Sequence, residues 1–545
     1  MARNLHFRWH ISGAMITTSP LSVGGMSAGT IVDLALAVNG QGNYYIPGTS
    51  LAGALRNWMS RNYDSEISDS IFGCIESSQG NDDGYASFIT VADIPIEQKN
   101  LYFEVRDGVG IDRELGTAVD NFKYDRAVLP KGTELNILLI IERKDKISDD
   151  AWQSSEQAIA HLLEALKTGK IPIGAAKTRG LGRIKLNGTD WDIQTRDFQT
   201  RKGILAALGY QSKEAKPEDA AQPFVYTAST NSSQSTNLAI SISWHPVEPV
   251  MVKAEGDGIA VDILPLTSAN GRSVTFVLPG SSIKGSLRTQ AERIVRTVLG
   301  IGIVDQSNPY VKQNYPTQID VPLISELFGK AAKIENGDQQ GRIGALSVID
   351  CYANLDITPQ SWANIESATT EAQLRTSLGA VGLLDTKQAM HVAIDRWTGG
   401  AADQMLYSTL EPIGFEWEPI VLEIDIGRIK PEKRCVEIDN WKIEEQRKQY
   451  AAIALVLLVL RDMMLSKIPL GYATNRGMGA IAVDSIKVTG NGLDPELAAL
   501  ADVKLENSNL NPLSPELLNT LTASWKAWIA SQTNRKTEVK GGTAS

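Results

Sequence analysis

Hydrophobic and polar residues alternate at two distant places in this chain, from Leu5 to Ser12 and from Leu238 to Trp244. A period of two is typical of a β-strand with one buried face. Farther along each half, the apolar pattern predicts a second strand, a long helix and a last strand. These elements are expected at 134–141, 152–166 and 183–186, and again at 420–426, 446–464 and 480–483. The same order of elements is therefore predicted twice.

Between the first two strands of each half, a Pro-Gly turn leads into a predicted helix. The segment IPGTSLAGALR at 46–56 returns as LPGSSIKGSLR at 278–288, 232 residues later. The helices are expected to end near Arg61 and Leu299. Residues that favour helix N-caps follow the turns, namely Thr49, Ser50, Ser281 and Ser282. Exposed amide groups at a helix start, with the positive end of the helix dipole, suit an anion such as phosphate.

A glycine-rich loop with one arginine precedes the last strand of each half. The segment IPIGAAKTRGLG at 171–182 returns as IPLGYATNRGMG at 468–479, 297 residues later. Glycine permits positive φ and close backbone approach, and the guanidinium groups of Arg179 and Arg476 offer a planar fork for phosphate. A dinucleotide fingerprint would need a helix after its glycines, and a P-loop would need Gly-Lys followed by Ser or Thr. The two repeated motifs together indicate a duplicated domain.

Composition is compatible with a large cytoplasmic protein. The 545 residues are 43% hydrophobic, which suffices for several domains, and the duplication favours two large ones. The three cysteines are far apart and odd in number, which favours neither a disulfide framework nor a zinc knuckle and indicates a reducing cytosol. No signal-peptide core opens the chain, and the most apolar run, 451–460, has half of the ~20 residues that a membrane span needs.

Charge is unevenly distributed along the chain. The net charge of −10 argues weakly against a nucleic-acid partner. Basic residues nevertheless cluster in two places. No acidic residue lies between Gly174 and Leu186, and Glu292 is the only acidic residue among the basic residues of the predicted helix after the second Pro-Gly turn. The clusters are Lys177, Arg179, Arg183 and Lys185, and Lys284, Arg288, Arg293 and Arg296. Such stripes suit RNA bound at chosen faces, although ordinary solvated surface has the same pattern.

The predicted fold class is α+β, because strands and helices alternate without a parallel βαβ rhythm and antiparallel sheets covered on one side fit best. The segment before Asn237 is polar and is predicted to be a linker. A helical pattern at 515–530 lies outside the repeat. We therefore expect a first domain at 1–205, a linker at 206–237, a second domain at 238–490, and a C-terminal helical extension and tail at 491–545.

Each half also carries Phe-Gly after its helix and Ile-Asp-Arg before its glycine-rich loop, at 111–113 and 394–396. This ordered set, present twice, resembles the RAMP superfamily of CRISPR systems. More narrowly, it resembles the backbone subunits of type III effector complexes, fused in pairs as in subtype D variants. The resemblance implies two tandem domains, each with a ferredoxin-like (RNA-recognition-motif) core and a thumb β-hairpin. The thumbs are expected near 114–126 and 397–412.

The resemblance implies a subunit that binds guide RNA (crRNA) and cleaves complementary target RNA. The implied partners are the guide, the target, the large polymerase/nuclease subunit and other backbone subunits, with no membrane. Guides vary in sequence, so contacts to the RNA backbone are expected. The candidate RNA-binding residues are Thr49, Ser50, Arg56, Lys177, Arg179, Ser281, Ser282, Lys284, Arg288 and Arg476.

The resemblance also suggests two catalytic residues. Family members that cut target RNA carry one aspartate in the loop between the first strand and the Pro-Gly turn. Here 22–33 aligns without gaps with 251–262, so Asp33 and Asp262 are equivalent. Each would hold a divalent cation, expected to be Mg²⁺, together with RNA phosphate, while the ribose 2′-hydroxyl attacks and leaves a cyclic phosphate. In the second loop, Asp257 or Glu255 could be the ligand instead.

Two other functions remain open from the sequence. The first is a non-catalytic guide-binding scaffold with the same fold, which only the loop aspartates argue against. The second is a guide-processing ribonuclease, which the scarce histidines disfavour because they share no pattern with nearby acids. These histidines are His10, His161, His245 and His391. Asp112 and Asp395, in the Ile-Asp-Arg segments, are expected in structural ion pairs.

Overall fold

The computed structural model describes residues 5–25, 32–74, 84–97, 103–144, 149–208, 236–254, 258–303, 315–335, 338–430, 441–506, 508, 510 and 513–541. The chain divides into two units. The first unit takes 1–105, 126–177 and 181–234, and the second takes 106–125, 178–180 and 235–545. Two short segments of the first repeat therefore belong to the second unit. Most of the predicted linker lies outside the described residues.

The elements of the first repeat follow the predicted order. The strands are β1 (Leu5–Thr17), β2 (Tyr45–Ile46), β3 (Gly73–Cys74), β4 (Tyr85–Ala86), β5 (Ile89–Val91), β6 (Ile94–Pro95), β7 (Glu104–Ile111), β8 (Ala118–Val128), β9 (Glu134–Lys144), β10 (Ile184–Leu186) and β11 (Asp192–Asp197). The helices are α1 (Gly48–Asn62), α2 (Ser65–Phe72), α3 (Asp149–Lys167) and α4 (Arg201–Ala207).

The sheet of the first unit is antiparallel, with strand order β10-β1-β9-β5 and with β11 also paired to β1. The predicted alternation is confirmed, because Trp9, Ile11 and Met15 are buried while their neighbours are more accessible. Ile11 of β1 pairs with Leu139 of the neighbouring strand β9, which is also buried. Apolar residues of α3, such as Leu163, cover this face and form the core.

The second repeat is longer. Its strands are β12 (Asn237–Pro246), β13 (Thr267–Asn270), β14 (Ser273–Leu278), β15 (Lys330–Glu335), β16 (Asp338–Arg342), β17 (Leu346–Val348), β18 (Cys351–Tyr352), β19 (Lys387–Ile394), β20 (Ala401–Glu411), β21 (Ile420–Asp425), β22 (Ile481–Asn491) and β23 (Asp502–Leu505). Its helices are α5 (Gly280–Leu299), α6 (Tyr315–Gln318), α7 (Ile324–Phe328), α8 (Pro359–Glu366), α9 (Glu371–Ala380), α10 (Trp441–Met464) and α11 (Pro515–Gly541).

The sheet of the second unit is also antiparallel, in the order β17-β21-β12-β22-β23. The opening strand β12 again lies between the strand before the long helix and the strand after the glycine-rich loop. Helix α10 contains the apolar run at 451–460 and is part of the core. Helices combined with antiparallel sheets confirm the predicted α+β class. Gly300 ends α5 in a left-handed conformation, as expected.

The C-terminal helix α11 is longer than the pattern at 515–530 indicated. It packs against α10, and its residues Leu517, Leu521 and Trp528 belong to the core of the second unit. Within the described part of the chain, no helix is both long and apolar enough to cross a membrane.

Two antiparallel hairpins stand apart from the main sheets. The first hairpin joins β7 to β8, and the second joins β19 to β20. Each begins about ten residues before the expected thumb position, because the strand in front of Ile-Asp-Arg is the first arm of the hairpin. The second hairpin exposes large apolar side chains, and Trp397 near its tip is 96% accessible. The hairpins thus include the positions at which the thumbs were expected and begin earlier in the chain.

Candidate nucleic-acid interface

The glycine-rich loops fold as tight turns that only glycine allows at the last position. Gly182 and Gly479 both have positive φ, +90° and +84°. A Cβ atom would lie 2.1 Å from the Ile173 carbonyl oxygen in the first loop and 2.4 Å from that of Leu470 in the second. These close approaches turn the chain into the final strand of each repeat and leave the preceding arginine at the surface.

A hairpin tyrosine holds each loop arginine. Nη1 of Arg179 donates to the Tyr124 hydroxyl at 2.9 Å, and Nη1 of Arg476 donates to the Tyr407 hydroxyl. The sequence contained a signal for these tyrosines, which we missed: each lies 13 residues after the isoleucine of Ile-Asp-Arg. Both repeats therefore fix an exposed guanidinium group against a hairpin, which reduces the conformational entropy that a phosphate contact would cost.

The second repeat holds its arginine more firmly. Nη2 of Arg476 donates to the Tyr472 hydroxyl at 3.0 Å. The guanidinium carbon lies 5.3 Å from the Tyr472 ring centre and 5.8 Å from that of Tyr407, within cation–π range. The first loop has Ala175 in the place of Tyr472. In that loop, Lys177 is half-buried.

The loop aspartate of the second repeat contacts the second hairpin. Oδ2 of Asp262 accepts hydrogen bonds from the Ser408 amide at 2.7 Å and from the Ser408 hydroxyl at 2.9 Å. These two bonds, the amide bond first, hold the pKa of the Asp262 carboxyl below its usual value. The side chain is exposed and ionised at neutral pH. Sequence reasoning missed Ser408, which follows Tyr407 directly.

The two loop aspartates occupy matching backbone positions. Leu34, which follows Asp33, forms a parallel bridge with Arg126, and Ile263, which follows Asp262, forms one with Thr409. The gap-free alignment of the two loops therefore agrees with the backbone pairing. Asp33 is exposed. The alternative ligands of the second loop, Asp257 and Glu255, lie outside the described residues.

The helix starts differ from the prediction. Pro47 and Pro279 are the N-cap residues, and the predicted caps Thr49, Ser50, Ser281 and Ser282 lie in the first helical turn instead. The amide of Gly48 donates to Asp93 Oδ1, and that of Gly280 to Asp350 Oδ1, both at 2.7 Å. The chain thus supplies its own carboxylate where we expected phosphate, because a helix N-terminus attracts any nearby anion.

The basic residues of the helices form bonds within the protein. Lys284 is 5% accessible and donates to the Leu346 carbonyl at 2.7 Å. Burial, then the charges of Arg179 and Arg288, lowers its pKa to about 7. Arg288 pairs with Glu292 at 2.7 Å, and Arg56 pairs with Asp69 at 2.9 Å. The expectation that Lys284 lies on an RNA-binding surface is corrected, because its long side chain enters the core.

Asp112 and Asp395 accept hydrogen bonds from the residues of the hairpin turns that follow them. Oδ1 of Asp112 accepts from the amides of Glu114 and Leu115, at 2.9 and 3.0 Å. Asp395 likewise accepts from the Trp397 amide and the Thr398 hydroxyl. Arg113 pairs with Glu292 at 2.6 Å. Both aspartates thus supply the acceptor that the turn amides need, and the expected ion pairs stay a prediction.

Two of the histidines do face acids. His245 lies 2.9 Å from Asp484, and His391 lies 3.5 Å from Glu411. These acids are not sequence neighbours of the histidines, so no sequence pattern indicated the contacts. The His391 ring stacks on Tyr407, with 5.2 Å between ring centres.

Asp262 contributes one exposed carboxylate, which could supply one or two oxygens to a divalent cation. Among the residues that the structure describes, no group of three or more His, Cys, Asp or Glu side chains could hold a metal by itself. Mg²⁺ in proteins is often held by one or two carboxylates together with substrate phosphates. The exposed carboxylate of Asp262 could hold a cation in this way only if RNA supplied the remaining oxygens.

Comparison with known proteins places the chain in a family. No curated protein matches the sequence. The family model of the RAMP superfamily matches residues 14–185 and 265–482, once in each repeat. The helices and antiparallel sheets agree with the ferredoxin-like fold of such domains. The two stretches cover more than half of the chain, which therefore belongs to the RAMP superfamily of CRISPR-associated, RNA-binding proteins.

Proposed function

We propose that this chain is a guide-binding backbone subunit of a type III CRISPR effector complex and cleaves complementary target RNA at two sites. One observation carries the proposal. In the second unit, Tyr407 holds the loop arginine Arg476, while the next residue, Ser408, holds the loop aspartate Asp262. A cation that suits RNA phosphate and a carboxylate that suits Mg²⁺ are thus held by adjacent residues of one hairpin strand.

Arg476 and Arg179 bind the RNA backbone in this proposal. Both are exposed, permanently charged and fixed by tyrosine hydroxyls. Contacts of this kind carry no base information, which suits guides of differing sequence. The neighbouring subunits of a cytoplasmic ribonucleoprotein, including the large polymerase/nuclease subunit and other backbone subunits, would supply the rest of the RNA channel.

Asp262 and Asp33 are the proposed catalytic residues. Each carboxylate would hold a divalent cation, Mg²⁺ in this proposal, which when bound stabilises negative charge on the scissile phosphate. The 2′-hydroxyl oxygen of one nucleotide attacks the adjacent phosphorus, and the 5′-oxygen of the next nucleotide leaves. The products are a 2′,3′-cyclic phosphate and a 5′-hydroxyl, with the hydroxyl proton passing through solvent to the leaving oxygen.

Cleavage by the assembled complex tests the proposal. With end-labelled target RNA and Mg²⁺, we expect Asp33→Ala and Asp262→Ala each to remove one cut, by at least about a hundredfold in rate. The double variant should still bind guide and target. Asp502→Ala, an exposed aspartate on β23, serves as the control and should retain both cuts.

Other outcomes would favour the other functions. Unchanged cleavage in the double variant would make the chain a non-catalytic scaffold. Cleavage of guide precursor by the isolated chain without added metal would instead identify a guide-processing ribonuclease.

A further inference from the structure

Ser408 makes more hydrogen bonds to the loop aspartate of the second repeat than are needed to attach the loop to the hairpin. Its amide and hydroxyl both donate to Asp262 Oδ2, at 2.7 and 2.9 Å. The Asp262 amide in turn donates to the Ser408 oxygen Oγ at 3.1 Å. Ser408 is 4% accessible, whereas Asp262 is exposed. A buried donor pair therefore holds an accessible carboxylate.

The backbone already attaches this loop to the hairpin. The Ile263 amide donates to the Ser408 carbonyl at 3.0 Å, and the Leu410 amide donates to the Ile263 carbonyl at 2.9 Å. These two bonds need no side chain from either Ser408 or Asp262. The side-chain bonds therefore add something that the backbone pairing does not provide, namely a fixed orientation of the carboxylate.

Both donors reach the same oxygen atom. Among the described residues, the hydrogen bonds to the Asp262 carboxylate all go to Oδ2. Hydrogen bonds to an ionised acceptor are strong and directional, so they restrict rotation of the carboxylate. Oδ1 is left as the oxygen that can bind a cation without breaking a bond to Ser408.

We propose that Ser408 is a positioning residue, which orients the Asp262 carboxylate so that Oδ1 binds the divalent cation of the second cleavage site. The inference rests on the proposed function. It applies to the second repeat alone, because the residue after the hairpin tyrosine of the first repeat is Asp125, which has no hydroxyl donor. Loss of the Ser408 hydroxyl should therefore weaken cation binding at one site and leave the other unchanged.

The test is the Mg²⁺ dependence of each cut in the assembled complex. For Ser408→Ala, we expect the half-saturating Mg²⁺ concentration at the Asp262 site to rise about tenfold, the effect of losing a hydrogen bond to a charged group. The rate at saturating Mg²⁺ should stay within about twofold, because Asp262 itself remains. Ser408→Thr keeps the hydroxyl and should restore the original half-saturation. Ser268→Ala, which removes another buried hydroxyl, should change neither site.

A second measurement does not depend on catalysis. Fe²⁺ replaces Mg²⁺ in the complex, and the target carries a 2′-deoxynucleotide at the scissile position. Added hydrogen peroxide oxidises bound Fe²⁺ to Fe³⁺ and is itself split into hydroxide and a hydroxyl radical, which cuts nearby RNA. Ser408→Ala should reduce radical cutting beside the Asp262 site about tenfold at subsaturating Fe²⁺ and leave cutting beside the other site unchanged.

The outcomes separate this inference from the proposed function. If Asp262→Ala abolishes its cut while Ser408→Ala changes neither half-saturation nor radical cutting, only the role of Ser408 is wrong. If Asp262→Ala has no effect, both proposals fail. Should Ser408→Ala not assemble, Ser408→Cys retains most of the side-chain volume but is a weak donor, and an unshifted half-saturation would overturn the inference.

Discussion

Lys284 is a cation inside the core of the second unit. Its ammonium group donates to the Leu346 carbonyl, and burial, then the charges of Arg179 and Arg288, lowers its pKa to about 7. The first repeat has Ala52 at this position of the shared motif, which shows that the helix start does not require a lysine. A buried amine of this kind makes stability depend on pH, because the unfolded chain binds its proton more tightly.

As the pH increases from 7 to 9, the unfolding free energy of the protein should rise relative to that of the Lys284→Met variant. The folded pKa, about 7, lies below the unfolded value of 10.5, so in this range the unfolded state binds more protons than the folded state. The difference in unfolding free energy between the two proteins should grow by as much as about 2 kcal/mol. Urea unfolding at both pH values measures it, and a difference that is constant with pH would show that Lys284 stays charged in the core.

At the scale of elements, both helices that follow a Pro-Gly turn begin on an aspartate from a distant segment. Asp93 is exposed, whereas the Asp350 side chain is 1% accessible and lies 3.6 Å from Arg106. The same helix start is thus stabilised at the surface in one repeat and in the interior in the other. Removing a buried carboxylate that has a charged partner lowers the stability of a protein more than removing an exposed carboxylate does.

Asp350→Ala should therefore cost more stability than Asp93→Ala. We expect a loss of about 3 kcal/mol for Asp350→Ala, the range for breaking a buried ion pair, and about 1 kcal/mol for Asp93→Ala, the range for a lost helix cap. Denaturant unfolding of both variants gives the comparison. Equal losses would show that the burial of Asp350 adds nothing to its role at the helix start.

At the scale of the whole molecule, the chain has a net charge of −10 but places one fixed arginine at each glycine-rich loop. An acidic protein can bind RNA when its cations are concentrated at the contact surface, because the phosphate interaction is local and screened within about 10 Å. The duplicated loop would give one chain two such contacts in the proposed complex.

Arg179→Ala and Arg476→Ala should each weaken guide RNA binding by similar factors for guides of different sequence. Each lost phosphate contact should make the slope of log affinity against log salt less negative by about 0.7, the value for single-stranded RNA. Filter binding at several salt concentrations measures this slope. Arg375→Ala, an exposed arginine paired with Glu371 on α9, is the control, and a sequence-dependent loss in the loop variants would contradict backbone recognition.

The sequence by itself determined the duplication, the α+β class and the positions of the long helices. These depend on local periodicity and on motifs such as the two Pro-Gly turns, which act within a few residues. It also predicted the equivalence of Asp33 and Asp262, with which the bridges of Leu34 and Ile263 agree.

Only the tertiary structure decided the partners of the site residues. Asp93 reaches Gly48 across 45 positions, Asp350 reaches Gly280 across 70, and Ser408 reaches Asp262 across 146. No local pattern encodes such pairs, because the chain first has to bring distant segments together. For the same reason, the sequence could place Lys284 on a basic helix but could not show that its side chain enters the core.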